Sequence, residues 1–150
     1  MRPLLVGEAN PRGADPRMAL YPLPPQCAGG RLCKLLGMSV SVYLATFDRV
    51  NLMPTPPRKW SAPEARRAAE HMLVDHPRAF PYVLLGRKVA TAFGLKDTPF
   101  FQKIDAVGPH GAYRTFLVIP HPSGLCQVWN DPATVQVLRR LLNPFIKEAK

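Results

Sequence analysis

The sequence has few of the residues that build metal sites. Its three cysteines, Cys27, Cys33 and Cys126, form no C-x-x-C pair, and the four histidines show no ligand spacing with them. Zinc sites and iron–sulfur clusters need closely spaced ligands of these types. We therefore expect no metal and no other cofactor, and reduced cysteines with structural roles.

Long apolar segments are also missing. No run approaches the roughly 18 residues that a membrane-spanning helix needs, and no charged stretch followed by an apolar one suggests a secretory leader. We expect a monomeric cytoplasmic protein that does not contact the membrane.

Acidic residues are few compared with basic ones. Ten Asp and Glu stand against 20 Lys and Arg, for a net charge of +10. Such an excess attracts a phosphate backbone, although a charge that serves only solubility is the simpler alternative. The 18 prolines predict fixed turns and extended loops. The length of 150 residues fits a single domain over 1–150.

Apolar segments alternate with helical patterns along the chain. The predicted strands are Arg2–Val6, Arg49–Met53, Tyr82–Leu85 and Thr115–Ile119. The predicted helices are Arg31–Leu36, Ser39–Phe47, Ser61 to about Val74, Arg87–Phe93 and Asp131 to about Leu142. This order predicts an α/β fold of three layers, α/β/α, with a four-stranded, mostly parallel central sheet.

Each of the four predicted strands is expected to end in a polar or glycine-marked turn. These turns are Gly7-Glu8, Asn51, Gly86-Arg87 and His121. Ligands of open parallel sheets bind beyond the carboxyl ends of the strands. We therefore expect Glu8, Asn10, Asn51 and His121 to lie along one edge of the sheet.

The segments at this edge resemble motifs of the uracil-DNA glycosylase superfamily. Gly7-Glu8-Ala9-Asn10-Pro11 is similar to the first motif, which presents a water-positioning residue, and His121-Pro122-Ser123-Gly124-Leu125 to the second, a His-Pro-Ser loop. Asn51 stands where the family keeps a base-reading asparagine, and Leu84–Ala90 resembles its third strand and helix start. The motifs occur in the family's order over nearly the whole chain.

The resemblance implies a uracil-DNA glycosylase-like fold and a monofunctional DNA glycosylase. Such an enzyme flips uracil or a 5-substituted pyrimidine out of DNA, hydrolyses its N-glycosidic bond and leaves an abasic site, as in base-excision DNA repair. Glu8, Asn10 and Asp15 compete for the water-positioning role. Asn10 separates Ala9 from Pro11, where most family members have the proline directly, so the sequence leaves this role open.

His121 and Asn51 have chemical reasons for their expected roles. A departing pyrimidine carries negative charge on O2, and a neutral histidine that donates a hydrogen bond there acts as an oxyanion hole. An asparagine amide offers the donor and the acceptor that match the edge of uracil. The structural alternatives are a histidine that caps a loop and an asparagine that stabilises a turn.

Further residues are expected to contact the base or the DNA. Gly7, Ala9 and Tyr21 are assigned to the base pocket, with Tyr21 stacking on the base unless it is a buried structural residue. Leu125 would fill the gap left in the duplex. The phosphate-contact candidates are Ser123, Gln127, Arg12, Arg17, Arg31, Arg58, Lys59 and Arg87. Trp60 and Trp129 are expected to be packing residues.

Two other functions fit the same residues. One is a non-catalytic binder of modified or single-stranded DNA, and the other is an enzyme that hydrolyses free nucleosides or nucleotides. The sequence does not distinguish repair from attack on foreign DNA or from genome modification.

Overall fold

The computed structural model describes residues 2–9, 15–53, 60–107, 111, 113–123 and 126–148. The strands are β1 (Leu4–Ala9), β2 (Asp48–Met53), β3 (Tyr82–Leu85), β4 (Lys103–Val107) and β5 (Tyr113–Ile119). The helices are α1 (Ala28–Leu35), α2 (Val40–Thr46), α3 (Ala62–Asp75), α4 (Arg87–Ala92) and α5 (Pro132–Glu148). Short 3-10 helices span Pro16–Met18 and Gln127–Asn130.

The strands form one mixed sheet in the order β2-β1-β3-β5-β4. The first four are parallel, and β4 pairs antiparallel with β5. The predicted α/β class and mostly parallel sheet are confirmed, but the predicted number of four strands was wrong. β4 escaped prediction because Lys103-Ile104-Asp105 alternates charged and apolar residues at a solvent-exposed edge, without the continuous apolar run of a central strand.

Helices cover both faces of the sheet, which is compatible with a three-layer α/β/α fold. Successive residues of a strand point to opposite faces, and β3 is buried on both. Tyr82 and Leu84 pack into an apolar layer with α3 and α4, whereas Val83 and Leu85 pack into a second layer with α1, α2 and α5. We call these the α3/α4 layer and the α1/α2/α5 layer.

The end of β1 and the position of Asn51 in β2 differ from the prediction. β1 continues through Ala9, so Gly7 and Glu8 are part of the strand and not of a turn after it. Asn51 likewise lies inside β2, paired with Gly7, and does not end the strand. The apolar run stops earlier than the strand because the last residues of β1 lie at a partly exposed end of the sheet.

The helix starts follow capping chemistry. Ser39 Oγ accepts from the Val42 amide at 3.2 Å, and Ser61 Oγ accepts from the Glu64 amide at 3.4 Å, which confirms both predicted N-caps. Helix α1 begins at Ala28, before the predicted Arg31, because the Cys27 thiol takes the capping role that Ser or Thr usually fills.

Helix α5 runs past its predicted end near Leu142. It continues through Pro144 to Glu148. A proline inside a helix removes one hydrogen bond to the residue four positions earlier. Both Pro144 and Arg140 are exposed, so water can donate a hydrogen bond to the Arg140 carbonyl, which has lost its partner in the helix. Among the described residues, no helix is both long enough and apolar enough to cross a membrane.

Candidate active site

Glu8 and His121 meet at the carboxyl-end edge of the sheet. Glu8 lies near the end of β1, and His121 follows β5. The Glu8 Oε2 and His121 Nε2 atoms are 3.8 Å apart, and each side chain is 32% exposed. A carboxylate and an imidazole that are distant in sequence therefore face each other at a solvent-accessible position.

Gly86 lies beside His121 at the end of β3. β3 lies between β1 and β5, and Gly86 follows its last residue with a φ of +97°. A side chain there would be strained, and its Cβ would lie 3.4 Å from the Cβ of His121. The Gly86 amide also donates to the Ile119 carbonyl at 2.8 Å, which fixes the end of β3 against β5. The central strand thus ends without a side chain beside the imidazole.

The backbone of His121 is held by Trp129. The indole N–H of Trp129 donates to the His121 carbonyl at 3.1 Å. Trp129 is buried in the α1/α2/α5 layer and packs edge-to-face against Phe101, with ring centroids 5.6 Å apart. Trp129 is therefore the packing residue that was expected, and it also positions the loop that carries His121.

Burial sets the protonation state of His121. Burial lowers the pKa of His121 below its ordinary value of 6.5, and the Glu8 carboxylate partly opposes this shift. At neutral pH the imidazole is therefore uncharged and has one N–H to donate.

Lys88 contacts the other side of the Glu8 carboxylate. Its Nζ atom is 3.9 Å from Glu8 Oε1 and 5.6 Å from the centre of the Trp60 ring. Lys88 had no role predicted from the sequence. The signal was its place in the first turn of the helix after β3, because such positions lie at the carboxyl-end edge of a parallel sheet.

Asn51 lies over the backbone of Gly7 on the neighbouring strand. A Cβ at residue 7 would come within 2.5 Å of Asn51 Oδ1 and 3.2 Å of a Leu20 methyl carbon. The missing side chain at Gly7 therefore makes room for the Asn51 amide near the end of β1. Ala9, the last residue of β1, is partly buried against the α3/α4 layer.

Asp15 and Tyr21 make local contacts. The Asp15 carboxylate accepts from the Arg17 amide at 3.0 Å and pairs with its guanidinium at 3.0 Å. These hydrogen bonds lower the pKa of Asp15. The Arg49 guanidinium lies 5.4 Å from the centre of the Tyr21 ring and donates to the Ala19 carbonyl at 2.9 Å. These contacts give Asp15 and Tyr21 structural roles.

Two residues that were expected to contact phosphate, Arg87 and Arg31, donate hydrogen bonds to backbone carbonyls of nearby loops. Arg87 donates to the carbonyls of Lys96 and Thr98 and stacks on Phe100, with its guanidinium carbon 4.0 Å from the ring centre. Arg31 donates from Nε to the Gln26 carbonyl at 2.9 Å.

Other members of the expected set lie close to His121 in sequence. Ser123 is half-buried, and its carbonyl accepts from the Cys126 amide at 3.2 Å. Gln127 is exposed on the following 3-10 helix.

Five of the expected site residues lie outside the described residues, so their roles stay predictions. They are Asn10, Arg12, Arg58, Lys59 and Leu125.

No metal site is formed by the part of the chain that the structure describes, where no three His, Cys, Asp or Glu side chains are grouped to hold an ion. The candidate site consists of the Glu8 carboxylate, the His121 imidazole, the Lys88 ammonium group and the Asn51 amide at one edge of the sheet.

Comparisons with known proteins gave no assignment, since no protein-family model matches the chain and no curated protein matches it significantly.

Proposed function

We propose that the protein is a DNA glycosylase that hydrolyses the N-glycosidic bond of a base flipped out of DNA. The observation that carries this proposal is the Glu8–His121 pair, with 3.8 Å between Oε2 and Nε2. Hydrolysis of this bond needs one group that handles water and another that stabilises the departing base. A carboxylate and a neutral imidazole at the ligand-binding edge of a parallel sheet supply both.

His121 stabilises the leaving base. When the bond between C1′ and the base nitrogen breaks, the base takes the bonding electrons, and for a pyrimidine the negative charge is concentrated on O2. The N–H of the uncharged imidazole donates to that oxygen. One such donor in a site shielded from water accelerates a reaction by about 10²–10³.

Glu8 handles the water. Its carboxylate orients a water molecule and accepts a proton from it, while the water oxygen bonds to C1′. The negative charge also stabilises the positive charge that develops on the sugar. Of the two candidates that the structure describes, Glu8 faces His121, whereas Asp15 pairs with Arg17. Asn10 keeps its predicted role as the alternative.

Asn51 and the net charge support a pyrimidine in DNA as the substrate. The Asn51 amide lies over Gly7, whose missing side chain leaves space for it. An amide can pair with the adjacent carbonyl and N–H of uracil or of a 5-substituted pyrimidine. The charge of +10 attracts the phosphate backbone.

The motif resemblance supports the same proposal. Glu8 and His121 belong to the two segments that are similar to uracil-DNA glycosylase motifs, and the α/β/α layering is compatible with that fold. We therefore propose that the chain is a member of this superfamily and acts on DNA as a cytoplasmic monomer, in repair or in the processing of modified DNA.

The test is release of a base from labelled DNA. Duplexes that carry uracil, hydroxymethyluracil, a thymine mispair or hypoxanthine are incubated with the protein and cleaved by alkali at abasic sites. We expect cleavage of at least one pyrimidine substrate. No abasic sites in any duplex or single strand, together with DNA binding that survives His121→Ala, would contradict the proposal and favour a non-catalytic binder.

A further inference from the structure

A cavity of about 500 Å³ lies between the start of α3 and the first turns of α4. Ligand pockets in proteins are commonly about 300–1,000 Å³, so it is large enough for a ligand. Trp60, Arg66, Arg87 and Lys88 line it together with small and apolar residues. We call it the Trp60 cavity.

The lining of the Trp60 cavity has the chemistry of a nucleic-acid site. It contains three cationic side chains and one indole, and none of its lining residues is acidic. Cations bind phosphate, and aromatic rings stack on bases of any sequence. Arg87 is partly engaged by the loop after α4, so Arg66 and Lys88, both exposed, are the side chains that can reach a phosphate.

Lys88 connects the Trp60 cavity to the Glu8–His121 pair. Its ammonium group lies 5.6 Å from the Trp60 ring centre and 3.9 Å from Glu8 Oε1. A strand that places one nucleotide against Glu8 and His121 therefore passes Lys88 and reaches Trp60 with the next one. Because the Trp60 cavity lies next to the Glu8–His121 pair, a continuous DNA strand is favoured over a free nucleotide as the ligand of the cavity.

We propose that the Trp60 cavity binds the nucleotide next to the flipped one in the same DNA strand. Its base stacks on Trp60, and its phosphate contacts Arg66 and Lys88. This inference rests on the proposed function, because only a glycosylase of this kind would flip the neighbouring nucleotide. Binding of a DNA strand in the cavity can nevertheless be measured without catalysis. Trp60 packs against the α3/α4 layer, as expected from the sequence, but it is only half-buried and therefore has ring surface left for such a contact.

The two tryptophans of the chain allow a direct readout. In Trp129→Phe the remaining tryptophan is Trp60, whose fluorescence then reports on the cavity. We expect quenching of that fluorescence, and protection from acrylamide, on titration with a short single-stranded oligodeoxynucleotide. Because Trp129 holds the loop of His121, fluorescence anisotropy of a labelled oligonucleotide on otherwise unaltered protein provides an independent measurement.

Substitutions on α3 and at Trp60 separate a specific contact from general charge. Trp60→Ala should weaken oligonucleotide binding about five- to thirtyfold, while Trp60→Phe keeps most of the affinity. Arg66→Ala should reduce the slope of log affinity against log salt by about 0.7–0.9. Arg67→Ala is the matched control, since Arg67 is also exposed on α3 but does not line the cavity, and it should leave the slope nearly unchanged.

The outcomes separate this inference from the proposed function. One outcome is that bases are released, but the fluorescence of Trp60 does not change and Trp60→Ala and Arg66→Ala bind the oligonucleotide with unaltered affinity. This outcome overturns the cavity assignment but not the proposed function. Quenching and weakened binding without base release support strand binding in the cavity and overturn the glycosylase proposal. A mononucleotide that binds more tightly than the oligonucleotide overturns the assignment to a strand.

Discussion

Two regions of the molecule contain residues that the sequence suggested for catalysis, and they differ in how their polar groups are used. At the edge formed by β1, β3 and β5, Glu8 and His121 come from distant segments and face each other. In segment 15–21, Asp15 pairs with a residue two positions away.

The difference lies in what each contact does for the fold. The Asp15–Arg17 contacts cap a 3-10 helix, so they already have a structural purpose. The Glu8–His121 approach instead holds two ionisable groups from distant segments beside each other, partly shielded from water. An imidazole with a shifted pKa beside a carboxylate is typical of functional sites, whereas a short-range cap is typical of a loop.

The largest expected effect separates the two carboxylates. Glu8→Gln should slow base release in a single turnover by about 10² or more, because the amide cannot accept a proton from water. Asp15→Asn should change the rate less than about threefold, which corresponds to roughly 0.6 kcal/mol, close to the size of typical surface changes. Rates are measured on the best duplex with enzyme in excess. A larger loss in Asp15→Asn than in Glu8→Gln would reverse the assignment.

Two glycines give a comparison of intermediate size. A Cβ on Gly29 would overlap the backbone carbonyls of Leu20 and Tyr21, whereas one on Gly7 meets the end of the Asn51 side chain, which can move. Gly29→Ala should lower the free energy of unfolding by about 3 kcal/mol and Gly7→Ala by about 1 kcal/mol. Urea unfolding of both variants measures this.

Substrate binding should show the reverse order, with a larger effect in Gly7→Ala than in Gly29→Ala. Gly7→Ala displaces the Asn51 amide, so its KM for the pyrimidine substrate should rise although it remains folded. Gly29→Ala, measured at a temperature where it is folded, should keep a normal KM. An unchanged KM in Gly7→Ala would argue against base reading by Asn51.

The smallest expected effect is a shift in pH dependence. Since burial lowers the pKa of His121 and Glu8 raises it, the imidazole stays uncharged as pH falls through 6.5 and gains its proton only below that value. The acid limb of kcat/KM should therefore have its midpoint below 6.5. In Glu8→Gln the NMR titration midpoint of His121 should move further down, because the raising charge is gone. A midpoint above 6.5, or an upward shift in the variant, would contradict this electrostatic account.

The same shift has a consequence for stability. The unfolded chain binds a proton at His121 near pH 6.5, whereas the folded chain does so only at lower pH. The contribution of His121 to stability is therefore fully present above pH 6.5 and is lost as pH falls from 6.5 through the lowered pKa. Urea unfolding at a series of pH values, compared between the unaltered protein and His121→Ala, isolates this contribution.

The central part of the fold was predictable because buried parallel strands have continuous apolar runs. Tyr82–Leu85 was predicted with its observed bounds for this reason. The proximity of Glu8 and His121 could be anticipated too, since the carboxyl ends of parallel strands share one edge.

Other features could not be predicted from local pattern. β4 lacks an apolar run because it forms the exposed edge of the sheet. The roles of Asp15 and Lys88 depended on contacts, with Arg17 in one case and with Glu8 and Trp60 in the other. A polar side chain in a sequence does not reveal which neighbours will satisfy it.

The proposal that His121 stabilises the departing base is tested most directly by the single-turnover rate of base release in two histidine variants. His121→Ala should slow release by about 10²–10³, whereas His71→Ala, which removes an exposed histidine on α3, should leave the rate unchanged. Equal rates in His121→Ala and His71→Ala, with both proteins folded, would contradict the account.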